Sequence, residues 1–347
     1  MVVRGWAGSI ATAIGAAACA GAAQLGLGYG LGIIAWQPST NPATEAVWVA
    51  SLTWTTWVAA TATVAAACYA HRLTAAAAHR SPVSPTNGAS ADPVRPTEGA
   101  DAPVTTAMWR IALAVAAAVG AVVTVLLVAV PAQSAVRADT FSPQTIAGGC
   151  AVVGIILGLL VAVWALASPA VTANVTATMG WMWLLAMVSV VDRIITDDQA
   201  ISTKLGVWQW TPDTDRFWFG AIYWPGAVVT LGAALVIGAL AALPAARRGD
   251  SRVGVAVSGA IGPVLVAAAY FVAAPRFVGV QGDQASAYLL APYAVIAGLA
   301  GSVLVAAIRQ RARGVGGSGT PAGSPNAGSS GPVATSTAGA TAVSAGG

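Results

Sequence analysis

The sequence predicts an all-α fold: a polytopic transmembrane helical bundle of about eight spans, with both termini cytoplasmic. Three observations carry that reading. Of 347 residues, 57% are hydrophobic and only 8% are charged, whereas a soluble domain carries about 25% charged residues. So few charges cannot clothe the surface of a water-soluble globule of this size. The apolar residues also gather into runs long enough for the roughly 20 residues that a helix needs to cross the hydrocarbon. Finally, the arginines between those runs are unevenly shared, in the sense of the positive-inside rule.

Eight runs qualify, at about 8–36, 46–70, 108–130, 145–167, 170–191, 217–243, 253–273 and 286–308. With the N-terminus inside, the inner side collects Arg4, Arg72, Arg80, Arg95, Arg110, Arg247, Arg248, Arg252, Arg309, Arg311 and Arg313. The outer side collects only Arg137, Arg193, Lys204, Arg216 and Arg276. The expected location is the cytoplasmic membrane. Arginine far outnumbers lysine, and Ala, Gly and Val dominate, a bias that GC-rich codons produce and that suggests a bacterial source.

The first run carries Arg4 ahead of it and Ala16-Ala17-Ala18 before Cys19. A lipoprotein-type cleavage site wants a larger aliphatic residue where Ala16 stands, and the run continues far past Cys19. Cleavage is therefore not expected. The same run holds Gly26-Leu27-Gly28-Tyr29-Gly30-Leu31-Gly32. Gly-Tyr-Gly is the core of a potassium filter, but no Thr-Val precedes it and no separate pore helix fits beside it. Gly26 with Gly30, and Gly28 with Gly32, make small-xxx-small pairs that predict close packing on a neighbouring helix.

The second run closes a segment 1–70 of two helices and is rich in hydroxyls: Ser51, Thr53, Thr55, Thr56, Thr61 and Thr63. Interhelical hydrogen bonds are their expected use. A Pro-rich loop at 71–107 has no apolar periodicity and reads as a disordered cytoplasmic connector. Segment 108–191 holds helices three to five. Span five adds Thr172, Asn174, Thr176 and Thr178, either as helix contacts or as the lining of a substrate path. Asn41-Pro42, Ser142-Pro143, Ser168-Pro169 and Thr211-Pro212 each read as a cap followed by a proline at the first helical position.

The extracytoplasmic loop at 192–216 is the most polar stretch. It brings together Asp192, Arg193, Asp197, Asp198, Trp208, Trp210, Asp213, Asp215 and Arg216, with Trp218 just beyond. Clustered carboxylates can hold a divalent cation, and indole faces can stack on sugars or headgroups, so these residues form a candidate outer-face ligand site. A simpler account serves as well: Thr211-Pro212 followed by acids is a good helix start, and tryptophans anchor span ends. Segment 217–310 holds helices six to eight, each with a proline. Gly262-Pro263, mid-span in the seventh, is a candidate hinge. The tail 311–347 reads as disordered and cytoplasmic.

Little chemistry is on offer. Among the eight runs the one ionisable Asp, Glu, Lys or Arg is Arg110, at the very start of the third. Such groups mark ion and proton pathways, so a proton-coupled carrier or an intramembrane protease is disfavoured. Cys19, Cys68 and Cys150 have no paired spacing, and His71 and His79 lack partners for a metal. No catalytic residue, metal ligand, cofactor or nucleic-acid partner is expected. Three function classes remain. The favoured one is a non-enzymatic scaffold or subunit of a membrane or envelope assembly, joined to a membrane-protein partner or a second copy through small-residue helix faces. The others are a permease for neutral or lipid-like cargo, and an outer-face transferase acting on a lipid-linked substrate.

Overall fold

The structure, a computed structural model, describes residues 2–38, 41–80, 102–136, 141–196, 203–206, 217–218, 222–274 and 282–317. In chain order these form α1 (Val2–Gly30), α2 (Pro42–Arg80), α3 (Ala102–Ala132), α4 (Pro143–Ala167), α5 (Pro169–Thr196), β1 (Phe217–Trp218), β2 (Ile222–Tyr223), α6 (Trp224–Arg248), α7 (Arg252–Ser258), α8 (Ile261–Ala273) and α9 (Gly282–Gly317). Six of them, α1, α3, α4, α5, α6 and α9, are long and apolar enough to cross a membrane. The chain is an all-α, multi-pass integral membrane protein.

The longest helix, α2, is not among those six. Its threonines and Ser51 dilute its hydropathy, and its place in the bundle explains why it tolerates them. Every residue from Ser51 to Val64 is buried, including the large side chains of Trp54 and Trp57, with α1, α3, α4 and α8 packed around it. Small residues let those neighbours close in. Gly154 and Gly158 of α4 lie against the carbonyls of Thr56 and Ala60, where a Cβ would collide with backbone. Gly238 of α6 meets Gly298 of α9 in the same way. Packing of this kind is what holds helices together when lipid is as apolar as they are.

The hydroxyls of α2 mostly do not bridge helices. Thr53 donates to the Val49 carbonyl at 2.8 Å, Thr56 to Leu52 at 3.0 Å, Thr61 to Trp57 at 2.9 Å and Thr63 to Ala59 at 2.9 Å. Each reaches back one turn within its own helix, where an acceptor is always in range. Ser51 is an exception in part: it accepts the Ala35 N–H at 3.0 Å while donating to Val47 at 2.8 Å.

Three readings of the sequence need correction. The glycine cluster at 26–32 is not a packing seam within the bundle. It ends α1: the N–H groups of Ile33 and Ile34 both return to the Gly28 carbonyl, at 2.8 and 3.1 Å, and Gly32 turns the chain with φ of 66°. That left-handed conformation favours glycine. Gly26 and Gly30 face open space, and Gly28 is covered by Ile34. The sixth span does not begin at 217. The aromatic, β-prone residues there pair as a short antiparallel hairpin, Phe217 with Tyr223 and Trp218 with Ile222, and the helix starts at Trp224 with proline in its first turn. The seventh run is two helices, α7 and α8, rather than one.

The predicted helix starts at 42, 143 and 169 are in place. Asn41 accepts the Thr44 N–H at 3.0 Å, and Thr44 returns the favour to the Asn41 N–H at 3.2 Å. Ser142 instead pairs its hydroxyl with that of Thr145 at 2.7 Å. Thr211-Pro212 lies outside the described residues, as do the Pro-rich stretch 81–101 and the tail beyond 317. Helix α2 continues past its apolar run to Arg80.

Gly158→Leu should force α4 off α2 and destabilise the protein by about 1–3 kcal/mol or more. Gly180→Ala, where nothing lies within 4 Å, should be neutral or gain about 0.5–1 kcal/mol from the stiffer helix. Thermal denaturation in detergent checks both.

Candidate functional site

Proline dictates the most distinctive site. In a continuous helix the Gly259 carbonyl would accept from the N–H of residue 263, and Pro263 has none. The chain breaks there: α7 ends at Ser258 and α8 begins at Ile261. Inside a bilayer the freed backbone groups need partners, because no water replaces them. Asn174 of α5, wholly buried, supplies both. Its Nδ2 donates to the Gly259 carbonyl at 3.4 Å, and its Oδ1 accepts the Gly262 N–H at 2.8 Å. One amide thus bridges the two edges of the break. Gly262 is glycine because Thr178 stands where a Cβ would be. The candidate hinge residues Gly262 and Pro263 therefore sit in the first turn of α8, clamped to α5.

Beside the clamp lies a narrow cavity of about 30 Å³, room for roughly two waters. Thr178, Trp181, Pro263 and Tyr270 line it, with Leu205 and Gly206 at its far end. Among the described residues no charged side chain lines it. The Thr178 hydroxyl and the Trp181 indole N–H are buried there with no hydrogen-bond partner among the described residues. The site can therefore hydrogen-bond a small uncharged guest.

Leu205 and Gly206 form part of the wall of this cavity, although they belong to a segment predicted to lie outside the membrane. Trp54 Nε1 donates to the Thr203 carbonyl at 3.0 Å, the Tyr270 hydroxyl to Leu205 at 2.5 Å, and the Thr230 hydroxyl to Gly206 at 2.9 Å. Three helices thus hold three carbonyls of one short loop, and Leu205 is buried. Gly206 adopts φ of 76° to make the turn. Leu205-Gly206 amid polar neighbours was the available signal, and composition alone does not distinguish it from an ordinary loop.

Of the residues grouped as an outer-face ligand site, only the first two are described in full. Asp192 and Arg193 stand near the end of α5. Arg193 donates to the carbonyls of Leu31 at 2.5 Å and Gly32 at 3.4 Å. It caps the negative end of α1, a structural use of the cation. Asp197, Asp198, Trp208, Trp210, Asp213, Asp215 and Arg216 lie outside the described residues, and Trp218 is placed only as a residue of β1.

Gln24 was missed by the sequence reading. A lone amide in an apolar run, it accepts from Trp183 Nε1 at 3.1 Å and lies 3.3 Å from the Thr61 hydroxyl. It ties α1 to α5 across α2. At the other end of the bundle His71 sits near Arg110. Burial first, and that positive charge second, hold its imidazole below the usual histidine range. A neighbouring cation opposes a metal ion in the same place. Among the described residues no three His, Cys, Asp or Glu side chains converge.

Comparison with protein-family models, with curated proteins and with solved structures finds no match for this chain.

Asn174→Leu should leave two buried backbone groups unpaired and cost about 2–4 kcal/mol. Thr178→Val keeps the shape and removes a hydroxyl with no partner, so it should change stability by less than about 0.5 kcal/mol. Denaturation midpoints of the purified variants check the contrast.

Proposed function

We propose that this protein is an eight-span component of the cytoplasmic membrane, with both termini inside. In this reading it acts as a non-enzymatic subunit of a larger membrane assembly and docks through α1. Helices α1 to α6, the α7–α8 pair and α9 make the eight crossings. Contacts between neighbours agree with alternating directions: Ser9 meets Thr74 at one end of α1 and α2, and Arg193 meets Leu31 at the other.

The observation that carries the docking role is the outward face of α1. Gly8, Ala11, Gly15, Cys19, Ala22 and Gly26 recur every three or four residues, and all are exposed. A Cβ added at Gly8, Gly15 or Gly26 would meet nothing within 4 Å. The lipid-facing side of α3 looks quite different, with Ile111, Val115, Val119, Val122, Leu126 and Val130 exposed. Lipid chains pack well against such bulky side chains. A smooth Gly/Ala strip suits the close approach of another helix. The partner is a membrane protein or a second copy of this chain.

A second reading rests on the cavity beside the α7–α8 break. Discontinuous helices near mid-membrane are where carriers bind cargo, and the unpartnered Thr178 and Trp181 groups suit a small neutral solute. A permease would have to widen this cavity, whose wall includes Leu205 and Gly206.

The docking role predicts that Gly15→Leu together with Gly26→Leu releases the partner while the melting temperature holds, since neither position touches the rest of the bundle. Native mass spectrometry of gently solubilised membranes reads the stoichiometry. A protein that runs alone before and after the change excludes docking through α1. Cys19 lies on the strip, so mild oxidation should cross-link a second copy if the partner is one. The layout predicts that Ser142→Cys reacts with an impermeant maleimide in intact cells. Ser251→Cys should react only in inverted vesicles.

A further inference from the structure

A groove of about 350 Å³ runs down the side of the bundle between α1, α2 and α5. Its floor is α2 from Thr61 to Arg72, and its walls include Ala16 and Ala20 of α1 with Val175 and Met179 of α5. One end is closed where Gln24 meets Thr61 and Trp183. The other end opens at Arg72, which is exposed.

The groove is apolar inside despite its threonines. The Thr61 hydroxyl donates to Trp57 at 2.9 Å, Thr172 to Ala165 at 2.8 Å and Thr176 to Thr172 at 2.8 Å. What remains along the slot is mostly apolar surface from Ala, Val and Met side chains, with Cys68 and Tyr69 also in the lining. Arg72 is different. Among the described residues no carboxylate pairs with it, and it stands just beyond the apolar run of α2.

The dimensions match one leaflet. From Thr61 to Arg72 the helix rises about 16 Å at 1.5 Å per residue. That is about half of the ~30 Å hydrocarbon thickness. An apolar slot one leaflet deep, open on the side to the bilayer, ends at a cation placed at the level of the headgroups. Arginine pairs well with phosphate oxygens, and its stem can lie along apolar surface while the head stays at the interface.

We propose that this groove is a binding site for an anionic phospholipid of the adjoining leaflet. One acyl chain lies along α2 between Ala20 and Val175, and the phosphate rests on the Arg72 guanidinium. The site is separate from the α1 docking strip and from the cavity beside Asn174, and it stands whichever functional reading holds.

The test uses the full-length protein in nanodiscs of phosphatidylcholine and phosphatidylglycerol in equal amounts, followed by native mass spectrometry of the retained lipid. The wild type should retain phosphatidylglycerol preferentially. Arg72→Gln should reduce that preference about fivefold, the factor for about 1 kcal/mol per interfacial arginine. Arg72→Lys should keep most of it. Ala20→Phe, which fills the slot, should lower retention of both lipids. Arg248→Gln, an exposed arginine away from the groove, should change nothing, and melting curves confirm that each variant folds. Equal retention of the two lipids by the wild type would overturn the proposal. So would a preference untouched by Arg72→Gln, or a groove filled by a second copy of the chain that dissociates on Ala20→Phe.

Discussion

The structure depends on one constraint: in a bilayer every polar group must find its partner within the protein. Helix α2 meets it in large part. It is too rich in threonine to face lipid comfortably, so it is enclosed, with Ser51–Val64 buried on all sides. Thr53, Thr56, Thr61 and Thr63 turn back on its own carbonyls, while the Thr55 hydroxyl and the Trp57 indole N–H stay buried with no partner among the described residues. Glycines on α4 bring a neighbour within backbone contact of this helix. Tryptophans 54 and 57 fill the space that such small residues cannot.

Helix α5 handles the places where regular helix stops. Asn174 bridges the α7–α8 break, Trp183 holds Gln24 of α1, and Arg193 covers the last carbonyls of α1. Thr172 reaches back to the Ala165 carbonyl across the Ser168 turn. These polar side chains are spread along α5 from its start to its end, and each meets a backbone or amide group that would otherwise be stranded. The bundle can therefore tolerate a broken helix and an inward loop without any ionisable group at mid-depth among the described residues. Among the described residues the same economy leaves Thr178 and Trp181 with unmatched atoms beside the cavity at the break, and Thr55, Trp57, His71 and Arg110 with unmatched atoms elsewhere. It leaves Arg72 uncommitted at the mouth of the lateral groove.

Much of this fold was legible in the residues. Charge scarcity and long apolar runs identify a membrane bundle, and prolines after Asn41, Ser142 and Ser168 mark helix starts to the residue. Other features were not legible, for reasons that are local. Gly26–Gly32 satisfies both a packing motif and a helix terminator, and the return of Ile33 and Ile34 to Gly28 shows that it ends the helix. The break at Gly259 follows from Pro263 alone, but its repair needs an amide 85 residues away in sequence. Hydroxyl spacing says that α2 is polar without saying whether its hydroxyls bond outward or back on their own helix. The candidate site was hardest to read: the acidic, Trp-rich stretch drew notice by its charge, while the cavity is built from uncharged groups that make no pattern in the sequence.

The functional proposals share a premise, that α2 is the enclosed core and the bulky faces of α3 and α4 meet lipid. Photolabelling from within the bilayer tests it most directly. Protein reconstituted with a phospholipid bearing a carbene-generating group near its chain end is irradiated, digested and mapped by mass spectrometry. The account predicts adducts at Val119, Val122 and Leu126 of α3 and at Ile156 and Leu160 of α4, with Leu52–Ala60 of α2 unmarked. Labelling of Leu52–Ala60 at the level seen on α3 would contradict it.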